Sequence, residues 1–116
     1  MANRNVSSYF GEDGSVNQSW AGLLNGDSGN PAAVLTRGIG YTIQATGTFG
    51  AGGSVALHGS NDGVNYLAMD DAGGTTIAMT TTKIWRMANM PKFVKPVVTA
   101  GDGTTVLAVA MFGHTR

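Results

Sequence analysis

Apolar and polar positions alternate most regularly between Tyr41 and Phe49. Tyr41, Ile43, Ala45, Gly47 and Phe49 fall on one side, with Thr42, Gln44, Thr46 and Thr48 on the other. A period of two is the spacing of a strand with one dry and one wet face. Two further apolar runs, Ser54–Gly59 and Val64–Met69, are joined by Ser60-Asn61-Asp62-Gly63. Asn, Asp and Gly accept the backbone angles of a tight reversal, so this stretch predicts a β-hairpin. In its first arm Val55 and Leu57 alternate with Ala56 and His58. Gly47, Gly50, Gly52 and Gly53 flank Phe49 and exclude a helix there.

The same reading extends along the chain. Met1–Asn5 is expected to be a short flexible arm, Val6–Phe10 a first strand, and Gly11-Glu12-Asp13-Gly14 a turn. Ser15 to Asn25 stays open. Trp20, Leu23 and Leu24 have helical spacing, but Gly22 interrupts them, and a short strand or a loop pinned by a buried Trp20 fits as well. Asn25 to Pro31 is a turn-rich loop, and strands are expected at Ala33–Arg37, Thr75–Thr80, Lys83–Asn89, Phe93–Thr99 and Thr104–Phe112. Asp70-Asp71-Ala72-Gly73-Gly74 and Ala100-Gly101-Asp102-Gly103 reverse the chain between them. Reversals about every eight to twelve residues, with no long helical pattern, predict an all-β antiparallel β-sandwich or jelly roll. Residues 1–116 form one such domain, with no internal repeat or linker.

The last strand changes the picture. Leu107, Val109 and Met111 would face the core, yet Val106, Ala108, Ala110 and Phe112 on the opposite side are apolar too. Either this is a central strand covered on both sides, or its outer face meets another chain.

Composition fits both readings, a neutral Thr-covered surface as well as a face that meets a partner. Charged residues are only 12% of the chain against 42% hydrophobic, so Thr, Ser, Asn and Gly must keep the surface wet. The formal net charge is +0, which offers no overall field for nucleic acid or an anionic membrane. The chain has no cysteine, which excludes disulfides and thiolate metal sites and suits a reducing compartment. No stretch has the length of a signal peptide's apolar core or of a membrane span, so a soluble chain is expected.

Candidate chemistry is sparse. No nucleophile elbow is present, and neither His58 nor His114 has an evident partner, so no catalytic residue is assigned. Asp13, Asp27, Asp62, Asp70, Asp71 and Asp102 all lie in glycine-containing turns, where an Asx side chain stabilises the reversal itself. None has the spacing of a calcium loop, and Gly47–Gly53 lacks the Lys-Ser/Thr ending of a phosphate loop. No metal or cofactor is therefore expected. Lys83, Arg86, Lys92 and Lys95 cluster in a segment without acids, near Trp85 and Phe93. These bases would either protect strand edges or dock on an acidic partner surface with the two aromatics as anchors.

Two stretches carry a resemblance. Gly47-Thr48-Phe49-Gly50 followed by Val55-Ala56-Leu57-His58-Gly59-Ser60-Asn61-Asp62-Gly63-Val64-Asn65-Tyr66 resembles small structural proteins of tailed bacteriophages. So does Phe93-Val94-Lys95-Pro96 leading through Val97 to Ala100 into Gly101-Asp102-Gly103, the pattern of a strand entering the turn before the last strand. The resemblance spans about Gly47 to Phe112. It implies a jelly-roll capsid decoration, or cement, protein: a structural component on the virion's capsid surface, made in the host cytoplasm. Such a protein binds the major capsid protein as a homodimer or homotrimer, with no nucleic acid, membrane or small-molecule substrate, and it is not an enzyme. The docking residues expected on this reading are Lys83, Trp85, Arg86, Lys92, Phe93, Lys95, Val106, Ala108, Ala110 and Phe112. Gly-Ser-Asn-Asp-Gly before an aromatic also occurs in discoidin-like sugar-binding sandwiches. The alternative is thus a carbohydrate-binding module or receptor-binding tail or fibre component, with Trp20, Tyr66 or Trp85 stacking on sugars.

Overall fold

Alternating apolar residues, cut by Gly-, Asn- and Asp-rich reversals, give strands and no helix among the described residues. The computed structural model describes residues 3–10, 15–34, 40–87 and 90–114. The strands are β1 (Asn3–Arg4), β2 (Val6–Phe10), β3 (Val16–Leu24), β4 (Ser28–Gly29), β5 (Ala32–Ala33) and β6 (Gly40–Thr48). They continue with β7 (Ser54–Ser60), β8 (Leu67–Ala68), β9 (Ala78–Met79), β10 (Ile84–Met87), β11 (Phe93–Ala100) and β12 (Val106–His114).

Two sheets form. A five-stranded sheet has the order β10-β6-β12-β3-β2 and is antiparallel throughout. A seven-stranded sheet has the order β1-β4-β11-β7-β8, with β5 also on β11 and β9 also on β7; its β1–β4 contact is parallel. From β5 onward the chain passes from one sheet to the other at most connections. The inner faces meet as a β-sandwich. Trp20, Leu23, Ile43, Leu107, Val109 and Met111 come from one side, and Val55, Leu57, Met79, Val94 and Val98 from the other, all buried. Each such side chain contributes about 1.5–3 kcal/mol by leaving water.

Polar ties also cross between the sheets. The Trp20 indole N–H on β3 donates to the Asn30 carbonyl at 2.8 Å, and the Gln18 amide donates to the Ala33 carbonyl at 3.1 Å. Gly29 leaves room for the Trp20 ring, because a Cβ there would run into that ring and into Pro96. Pro96 itself sits inside β11, a place where a missing N–H normally costs a ladder bond. Val98 N–H points to the Asp27 carbonyl, and the Lys92 carbonyl accepts from Val34. By alternation the Pro96 nitrogen lies on the side of β11 that meets the short strands β4 and β5, with its ring beside Gly29.

Several expectations change. Ser15 to Asn25 is neither helix nor loop but β3, with a register irregularity opposite Leu107–Val109 and Gly22 at φ 68°. A bulge adds one residue to one strand. Trp20 and Leu23 therefore both face the core although they are three apart, which is why they imitate helical spacing. The expected arm is tied down at Asn3–Arg4, which pair with Ser28–Gly29, while Arg4 Nε lies 3.1 Å from the buried Asp27 carboxylate. The Val64–Met69 arm narrows to β8, because the Asp62 carboxylate captures the Val64 and Asn65 N–H groups at 2.8 Å each. Thr75–Thr80 narrows to a Thr76–Asp70 bridge and β9. The expected strand at Ala33–Arg37 begins at Ala32, and its residues 35–37 lie outside the described residues, as do the Gly11–Gly14 turn and the His114 side chain.

Candidate functional site: an open sheet face

The outer face of the five-stranded sheet is built from residues that alternate with the core. Leu107, Val109 and Met111 on β12 turn inward, so Val106, Ala108, Ala110 and Phe112 turn out. Since β12 is the central strand, its neighbours complete the face on both sides. Phe112 lies opposite Thr42 and Asn17, Ala110 opposite Gln44 and Ser19, Ala108 opposite Thr46, and Val106 opposite Thr48 and Leu24. On β10, Ile84 lies opposite Gln44 and Arg86 opposite Thr42.

No layer of the described chain covers this face. Ile84 is 62% exposed, Val106 48%, Leu24 43% and Phe112 39%. These are four of the six large apolar side chains that stand exposed on the described surface; the others, Val64 and Leu67, flank the β7–β8 hairpin. Among the described residues at these ladder positions Arg86 alone is charged. A hollow of about 190 Å³ between Phe112, Ile84, Gln44 and Asn17 indents the face. Small, apolar and hydroxyl groups on a flat, nearly uncharged surface suit a protein partner better than a charged ligand.

The sequence-derived docking residues fall in three places. Val106, Ala108, Ala110, Phe112 and Arg86 share the open face. Trp85 pairs in register with the buried Ile43, so it points inward, half-buried, with the Lys83 ammonium 4.4 Å from its ring centre. Lys92, Phe93 and Lys95 lie on or beside β11 in the other sheet, so the four bases do not make one patch. There the Lys92 ammonium stands 5.5 Å over Phe93 and the Lys95 ammonium 4.6 Å over Tyr66. Leu24 and Ile84 were missed by sequence reasoning. The bulge at Gly22 hides the parity of Leu24, whereas Ile84 was legible as the apolar residue out of phase with Trp85 and Met87.

The aromatic platform of the sugar-binding alternative is largely internal. Trp20 is buried, Trp85 packs against the core, and its indole N–H is enclosed without an acceptor among the described residues. Tyr66 remains, under Lys95. A larger hollow of about 540 Å³ lies beside the hairpin, walled by Ser60, Asn61, Leu67, Met69, Met90 and Pro91.

The carboxylates act on the backbone. Asp62 accepts from the Asn65 N–H, then the Val64 N–H, the Asn65 amide and the Ser60 hydroxyl, which holds its carboxyl well below the usual carboxylate range. Asp102 is held down to about 2, first by the Thr104 hydroxyl and then by the Ala51 and Thr104 N–H groups. It thereby locks the β11–β12 turn to the β6–β7 turn, where Thr105 Oγ1 also donates to the Phe49 carbonyl at 2.7 Å. Asp71 accepts from the Gly73 and Thr75 N–H groups at 2.9 Å each. His58, opposite Lys95 in the ladder, is pushed below its ordinary value by burial and then by the Lys95 charge. Among the described residues no three His, Asp or Glu side chains gather as a metal site would require. No family model, curated protein or solved structure matches this chain.

Proposed function

We propose that this chain is a virion structural protein of a tailed bacteriophage, a capsid decoration or cement protein. It binds the outside of the shell through the open face of its five-stranded sheet, takes the major capsid protein as partner, and self-associates. It works by binding without turnover and needs no cofactor. The observation that carries the reading is the uncovered central strand, whose outward Val106, Ala108, Ala110 and Phe112 sit among threonines with Arg86 beside them. The phage resemblance of Gly47 to Phe112 supplies the kind of assembly.

The finer fold belongs to the same proposal. The orders β3-β12-β6-β10 in one sheet and β4/β5-β11-β7-β8/β9 in the other agree with eight strands wound as two Greek keys, the wiring of a jelly roll. On that reading β1 and β2 are an N-terminal addition along one side of the barrel.

The test mixes purified protein with undecorated capsids. Saturable binding and a higher temperature of shell rupture are expected, together with a blank glycan array. Shells that neither take up the protein nor gain heat resistance would refute the proposal.

A further inference from the structure

The sheets end in edges that differ in how they are guarded. Exposed edge strands invite pairing with another chain, and proteins blunt them with short strands, charges, prolines or bulges. In the seven-stranded sheet the edge strands β1, β8 and β9 are two residues each, and β1 carries Arg4. In the five-stranded sheet β10 is preceded by Lys83 and contains Arg86, and the Ala72 N–H already donates to the Arg86 carbonyl at 2.8 Å. The remaining edge, β2, has none of these devices. It is five residues long, Val-Ser-Ser-Tyr-Phe, without charge or proline. Its register with β3 runs unbroken from Val6–Trp20 to Phe10–Val16, so no bulge twists it away. Among the described residues nothing pairs along its outer side.

We infer that β2 is a self-association edge, at which a second copy of this chain adds its own β2 antiparallel across a two-fold axis through Ser8. Symmetry argues for a second copy over a foreign strand. Antiparallel pairing about Ser8 sets Ser8 against Ser8, Ser7 against Tyr9 and Val6 against Phe10. At the axis the Ser8 hydroxyls meet, and with no charged residue in β2 no charge opposes another. Each residue and its mate share the same parity, so whichever alternate backbone groups point outward, donors meet acceptors. The two five-stranded sheets then continue as one, with the open faces side by side. Because β1, on the N-terminal side of Asn5, belongs to the other sheet, the pairing is confined to β2. An interface so short falls below the area of a stable dimer, about 1,000 Å² in total, so the association is weak and concentration-dependent. It stands on β2 alone and holds whether or not the open face meets a capsid.

The chain has no cysteine, so Ser8→Cys places a single thiol on the proposed axis, where paired Cα atoms come within disulfide range. Under mild oxidation Ser8→Cys is expected to form disulfide-linked dimers about tenfold faster than Thr104→Cys, a control in an exposed turn. Sedimentation of the unmodified protein is expected to show a monomer–dimer equilibrium, which Ser8→Lys weakens about tenfold by setting two ammonium groups face to face. Crosslinking at the control rate would overturn the inference, as would a strictly monomeric protein or a dimer indifferent to Ser8→Lys. Should Ser8→Lys fail to fold, the crosslinking rate decides alone.

Discussion

The two sheets share a core but differ in what they do with their outer faces. The five-stranded sheet rests on three nine-residue strands, β3, β6 and β12, and leaves its outer face bare. The seven-stranded sheet surrounds β7 and β11 with two-residue pieces, and its outer face is occupied by its own side chains: Lys95 over Tyr66 and Lys92 over Phe93. An ammonium over a ring satisfies the aromatic face within the molecule. The bare sheet has no such cover among the described residues. On the proposed function, stability belongs to one side and binding to the other.

The largest effect is expected where the sheets are tied together. Trp20→Ala removes the buried indole and its bond to Asn30 and should cost about 3–5 kcal/mol in denaturant unfolding. A loss under about 1 kcal/mol would mean that Trp20 does not join the sheets. Gly29→Ala drives a methyl into the same ring and should cost about 1–3 kcal/mol.

How much of this was legible follows from what each residue answers to. Alternation reports a strand only while the register is regular. Tyr41, Ile43 and Ala45 were read correctly because β6 pairs β12 without interruption, and the inward set of Leu107, Val109 and Met111 for the same reason. β3 is ambiguous in the sequence because the bulge near Gly22 moves Leu23 into phase with Trp20. Composition cannot see across sheets, so Lys83 and Arg86 read as one cluster with Lys92 and Lys95, although β10 and β11 lie in different layers. The turn aspartates were legible since their partners are local, as with Asp62 and Val64 or Asp71 and Gly73. The open face is partly legible: Phe112 and Val106 announce it and the phase of Ile84 against Trp85 and Met87 points to it, but Leu24 joins it only through pairing.

Smaller effects separate the two outer faces. Tyr66→Ala should cost about 0.5–1 kcal/mol of stability through the lost Lys95 contact and leave capsid binding intact. Val106→Thr, on the bare face, should stay within about 0.5 kcal/mol of the parent in stability while weakening capsid binding. The opposite pattern would reverse the assignment of the faces.

The smallest effects come from pH. Asp102 titrates at about 2 in the folded chain against an ordinary 3.8, so its contribution is complete above 3.8 and is lost as pH falls towards 2. Asp62 acts in the same direction. His58 is also depressed, so its protonation opposes the fold and stability declines as pH drops below its ordinary 6.5. A melting-temperature profile should therefore slope downward in both windows, and Asp102→Asn should flatten the more acidic one.

Side-by-side binding isotherms of Phe112→Asp and Lys95→Glu on undecorated capsids address the division of labour most directly. Phe112→Asp is expected to lose about thirtyfold or more in affinity, the scale of a central interface residue, while Lys95→Glu binds as the parent does. Equal losses, or a loss confined to Lys95→Glu, would contradict it.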